Sequence, residues 1–152
     1  MFFSCLKKSI NDVIEVINKI NDNNEFEKHR FELFSKIVIA VHFIGDYEVR
    51  IKKHIPLEYK DFVMGFHYLN NQLKHDCNLE IIYYEVCGSM FPLRYPMQFG
   101  KPGVCWNNFV DNSDKPSRDQ RKYYEKHLMN QDIETTFRHI WDIFNEINNN
   151  AN

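Results

Sequence analysis

Seven histidines and four cysteines are the residues of this 152-residue chain most able to do chemistry, and their spacing limits what that chemistry could be. His29, His42, His54, His67, His75, His127 and His139 contain no H-x-x-x-H pair, and Cys5, Cys77, Cys87 and Cys105 contain no C-x-x-C pair. A zinc site normally draws on ligands about two to four residues apart, and "HDC" at His75 to Cys77 is too tight for that, so no metal and no cofactor is expected. Gly100 and Gly103 flank Lys101 and Pro102 with no strand before them, which leaves no phosphate-binding loop. A cysteine nucleophile needs only a histidine brought near in space, and any helical bundle of this composition can supply one, so none is assigned. Arg121 and His127, in "RKYYEKH", are what remains. A histidine acting as general acid or base beside an arginine that holds a phosphate is sound chemistry for cutting a phosphodiester.

Composition narrows the classes further. Nineteen basic residues stand against twenty-one acidic ones, and residues 1–76 hold eleven of each sign, so neither half is a basic arm and nucleic acid is not expected as a direct partner. The longest apolar run, "IVIAVHFIG" from Ile37 to Gly45, is about half of what a bilayer requires, so no membrane partner is expected. "MFFSCLKK" carries no secretory pattern. These features predict a cytoplasmic protein in a reducing compartment, its cysteines serving as small core hydrophobes, with disulfides as the alternative that an even cysteine count leaves open.

The elements that must position such residues read as helix almost throughout. In "SINDVIEVINKIND", Ile10, Val13, Ile14, Ile17 and Ile20 share one face, and Ser9 with Asp12 forms a variant capping box. Phe26, Leu33, Phe34, Ile37, Val41 and Ile44 make the stripe of a central helix that Gly45 would end or bend. After Pro56, Phe62, Phe66, Leu69 and Leu73 mark a third helix. Residues 78–87, "NLEIIYYEVC", are ambiguous: Leu79, Ile82, Tyr83 and Val86 fit a helix while the Ile, Tyr and Val content favours strand, and helix is the reading adopted. Ser117 and Gln120 open a fifth helix. Asn130 caps a sixth, whose Ile133, Phe137, Ile140, Phe144 and Ile147 give the cleanest stripe in the chain. The expected fold is therefore all-α, a single helical domain over residues 1–152: a bundle of about six helices with one long irregular loop, residues 88–116.

That loop gathers proline and glycine with Phe91, Tyr95, Phe99, Trp106 and Phe109. Connections this long are uncommon and are usually functional or disordered, and disordered segments are poor in aromatics. One reading is a packed excursion that caps the bundle. The other is a partner-binding surface, since Tyr, Trp, Met and Arg are enriched at interface cores. Its candidate residues are Glu80, Tyr84 and Glu85 before the loop, Tyr95, Phe99 and Trp106 within it, and Asp111 and Asp114 at its end.

Two family resemblances follow. Arg121 and His127 resemble the R-x(4 to 6)-H motif of HEPN-type ribonucleases, which implies a helical endoribonuclease, usually dimeric, with those two residues catalytic. The sequence also holds many Asn, Ile and Lys, which A/T-rich codons encode, and few Ala. With its small size, mild acidity and helical pattern, the chain resembles the immunity proteins of contact-dependent growth inhibition and related bacteriocin systems. That resemblance is the reading adopted. It implies a non-enzymatic protein that binds the C-terminal toxin domain of a large exported protein, often a nuclease, and masks it in the cytosol; the ribonuclease is the alternative.

Overall fold

The computed structural model describes residues 1–75, 79–84, 102–107 and 118–152. Five α-helices and one two-stranded sheet stand among the described residues: α1 (Phe2–Ile17), α2 (Asn23–Ile51), α3 (Leu57–His75), β1 (Ile81–Tyr84), β2 (Gly103–Trp106), α4 (Arg118–His127) and α5 (Ile133–Ala151). The chain is thus mostly helical. Two parts of the all-α expectation are corrected. Ile81–Tyr84 is strand rather than helix, and Gly103–Trp106, inside the expected irregular loop, is the strand that pairs with it. The antiparallel register sets Ile81 opposite Trp106 and Tyr84 opposite Gly103. "IIYY" and "GVCW" are rich in branched and aromatic side chains that fit a pleated surface, and a partner strand some twenty residues away overrides the weak local helical period.

The helices bury the faces that their periods mark. Ile10, Val13, Ile14 and Ile17 of α1 are buried, as are Phe26, Leu33, Ile37, Val41 and Ile44 of α2 and all five stripe residues of α5. α1 starts earlier than the capping box places it, and Ser9 lies inside the helix, where its hydroxyl donates to the Leu6 carbonyl at 2.8 Å. Asp132 rather than Asn130 caps α5, accepting from the Thr135 N–H at 2.8 Å. Asn130 instead takes a left-handed φ of 64° in the turn after α4, a conformation asparagine tolerates better than most residues. Ser117, expected to cap α4, lies outside the described residues.

α1 packs on α2, α2 on α3 and α3 on α4, while α5 closes against α1 and β2. Aromatic pairs fasten these layers. Phe3 of α1 stacks on Trp141 of α5 at 4.6 Å between centroids, Tyr47 of α2 meets Phe144 at 5.0 Å, and Phe66 of α3 meets Phe137 at 5.8 Å. Gly45 does not end α2, which runs on to Ile51. A Cβ there would stand 2.1 Å from Asn70 Nδ2, so the glycine is the seat of a side chain from α3.

Candidate functional site

The first half of α2 and the start of β1 form a surface groove. Asp22 caps α2, its carboxylate accepting from Glu25 N–H at 2.8 Å, and the helical period then carries Phe26 and Leu33 inward. Phe31 lies off that stripe and is 83% exposed. Beside it a groove of about 400 Å³ is lined by Glu27, Arg30, Phe31 and Phe34 of α2 and by Leu79 and Ile81 at the start of β1. Arg30 reaches Glu27 at 3.8 Å and lies 5.9 Å above the Phe26 ring. Tyr83 holds β1 to this end of α2, stacking on Phe26 at 6.0 Å and donating its hydroxyl to the Asn21 carbonyl at 3.0 Å.

Among the described residues, two of the eight sequence candidates for partner binding lie on or next to β1, neither of them lining the groove. Glu80 is exposed between Leu79 and Ile81, its carboxylate accepting from Asn107 Nδ2 at 3.0 Å, and Tyr84 is half-buried at the far end of β1. Trp106 is corrected. It is fully buried, its indole N–H donating to Thr136 Oγ1 at 2.8 Å and its rings packed against Phe66 and Phe137, so it is a core residue and not a surface anchor. Glu85, Tyr95, Phe99, Asp111 and Asp114 lie outside the described residues.

Arg121 lies one turn into α4 and His127 is its last residue. Six residues of helix separate them by about 9 Å along the axis and about 120° around it. Arg121 Nε donates to Glu125 Oε1 at 2.8 Å, so a carboxylate already meets the charge that would hold a phosphate. His127 turns toward Phe62, edge-on at 6.1 Å between ring centroids. Between them Tyr124 is buried and donates to the Asn107 carbonyl, and burial pushes its phenol far above the usual range, which keeps it a donor. On α5, burial lowers the His139 imidazole below its ordinary value, the nearby Asp142 carboxylate opposing in part.

A polar seam between α2 and α3 escaped the sequence reading. His67 Nδ1 donates to Glu48 Oε2 at 2.9 Å, and His42 Nδ1 donates to Asn70 Oδ1 at 2.7 Å. Glu48 is only 4% exposed, uncommon for a carboxylate unless it is paired. The helical spacing of His42, Gly45 and Glu48 against His67 and Asn70 could have signalled two helices meeting through polar groups. Each imidazole is held through Nδ1, which fixes its orientation. Among the described residues no group of three His, Cys, Asp or Glu gathers as metal ligands.

Cys105 also departs from the expectation of reduced core thiols. It is fully buried in β2 and disulfide-bonded, whereas Cys5 is free and exposed. No described helix is long and apolar enough to cross a membrane. Comparison with protein families, curated proteins and solved structures finds nothing that matches this chain.

Proposed function

We propose that this chain is a non-enzymatic immunity protein that binds the C-terminal toxin domain of a contact-dependent growth inhibition system, a nuclease in the reading we adopt, and neutralises it in the cytosol. The observation that supports it is Phe31, an aromatic ring standing 83% exposed beside a groove whose other lining includes Phe34, Leu79 and Ile81. An exposed aromatic next to a concavity is the usual form of an interface anchor. Glu27 and Arg30 give the groove rim one charge of each sign, and such rim charges would chiefly set the rate of encounter.

The test is titration calorimetry with the C-terminal domain of whichever large exported protein a neighbouring gene encodes. Phe31→Ala should weaken binding roughly thirtyfold, the ~2 kcal/mol of an anchor. Because the ring is exposed, the folding free energy should stay within the range of neutral surface changes, ~0.5 kcal/mol. Unchanged affinity in the Phe31→Ala variant would remove the groove from the interface. Phosphodiester cleavage by the purified chain, abolished in Arg121→Ala or His127→Ala, would replace the proposal with the ribonuclease.

A further inference from the structure

A second cavity shares no lining residue with the Phe31 groove. It holds about 160 Å³ between the turn that precedes α3 and the last turns of α5, and is lined by His54, Pro56, Glu146, Ile147, Asn150 and Ala151. The helical period builds the α5 wall: Glu146 and Asn150 stand one turn apart, as do Ile147 and Ala151 beside them. Ile147 is buried and Pro56 half-buried, so much of the lining is apolar. Glu146 supplies a carboxylate that pairs with no Lys, Arg or His among the described residues. What meets it is a neutral donor, the Tyr59 hydroxyl of α3 at 3.3 Å. The Glu146 charge, ahead of desolvation, that hydrogen bond and the Glu58 charge, holds the Tyr59 phenol above its ordinary value.

We propose that this cavity binds a primary alkylammonium group, carried by a short amine or by a lysine side chain: Glu146 meets the charge, Asn150 and His54 accept further N–H bonds, and Pro56, Ile147 and Ala151 cover the alkyl stem. An ammonium is a compact charge with three donors, and the lining offers a carboxylate, an amide oxygen and an imidazole nitrogen as acceptors. A carboxylate ligand would instead meet the like charge of Glu146. The size suits a few methylenes and not a drug-sized molecule, which fills ~300 Å³ or more. Lys52 and Lys53 stand exposed in the same turn as His54 and oppose any long-range attraction of cations, so recognition rests on contacts inside the cavity. The site is independent of the Phe31 reading.

The test titrates butylamine hydrochloride into the isotope-labelled full chain and follows the amide signals by NMR. Those of residues 54–59 and 146–151 should shift and saturate, with a dissociation constant in the ~millimolar range. Propylamine, ethylamine and methylamine should bind in falling order, by up to ~fourfold for each methylene lost, and sodium butyrate should leave the same signals in place. Glu146→Gln, a change at an exposed position, should weaken butylamine ~threefold to fivefold, as the loss of an exposed ion pair does. Ala151→Phe, which fills the cavity and touches no charge, should abolish binding. Saturation with butylamine should also lower the Tyr59 phenol titration in the parent, because the ammonium offsets the Glu146 charge. Nα-acetyllysine amide distinguishes the sources: tighter binding than butylamine assigns the site to a protein side chain, and weaker binding to a free amine. Failure to saturate, equal shifts with butyrate, no dependence on chain length, or unchanged affinity in Glu146→Gln overturns the site.

Discussion

Replacing Gly45 with alanine sets two effects of opposite sign against each other. Alanine in the middle of a helix is favoured over glycine by ~0.5–1 kcal/mol, since the backbone loses less freedom on folding. The new Cβ, however, would stand 2.1 Å from Asn70 Nδ2 and 2.8 Å from its Cγ, so the amide must turn away. Turning it breaks the 2.7 Å bond from His42 and leaves polar groups at the α2–α3 seam without partners, at ~1–3 kcal/mol, and crowding adds ~1 kcal/mol or more. The steric and polar costs exceed the propensity gain, so Gly45→Ala should destabilise by ~1–3 kcal/mol and lower the thermal midpoint by ~2–4 °C for each kcal/mol. In an Asn70→Ala background the nearest remaining atom of residue 70 is its Cβ, 3.5 Å away, an ordinary contact. There the same substitution should stabilise by the propensity term alone. Urea denaturation of the four proteins in the cycle reads the inversion directly. Equal effects of Gly45→Ala in both backgrounds would refute the account of why glycine stands at this position.

Other perturbations test other joints. Trp106→Ala should cost ~3–5 kcal/mol in denaturant melts, because it empties a fully enclosed site against Phe66 and Phe137. His67→Ala should be more damaging than Glu48→Ala: the first strands a carboxylate that is 4% exposed, at ~3–5 kcal/mol, whereas the second leaves a half-buried imidazole that water can reach. Stability should fall slightly as the pH drops below about 6.5, since partial desolvation makes the otherwise exposed His139 imidazole bind its proton less readily folded than unfolded, and the unfolded chain gains protons first. Melts from pH 7.5 to 5 should show a shallower loss in His139→Gln, and an identical slope would remove His139 as the source.

The sequence carried the helices well where one face alone is buried. In α5 the stripe from Ile133 to Ile147 is also the buried face, because tertiary packing and helical period make the same demand there. The sheet was less legible. Leu79, Ile82 and Tyr83 satisfy a helical period as easily as a strand, and the decision rests with residues 103–106, which no local window contains. Trp106 shows the same limit in the candidate site, as a proline- and glycine-rich neighbourhood marks a loop but does not say which side chains turn inward. Phe31 gave no signal at all. A single ring off the apolar stripe looks like any exposed residue until the fold sets Leu79 and Ile81 beside it. Gly45 read as a break because its partner, Asn70, lies on another helix.

The Phe3–Trp141 stack joins residues 138 positions apart, which makes the order of synthesis a physical variable. At ~5–20 residues per second, the ring on α1 leaves the ribosome roughly 7–28 s before its partner on α5 exists. α1 can settle on α2 at once, yet the aromatic face formed by Phe3 and Tyr47 stays open to solvent until Trp141 and Phe144 arrive. Over that interval the nascent chain offers the kind of apolar surface that holdase chaperones recognise. A product lacking α5 would present it permanently, so α5 works as the cover whose arrival withdraws this face from chaperones.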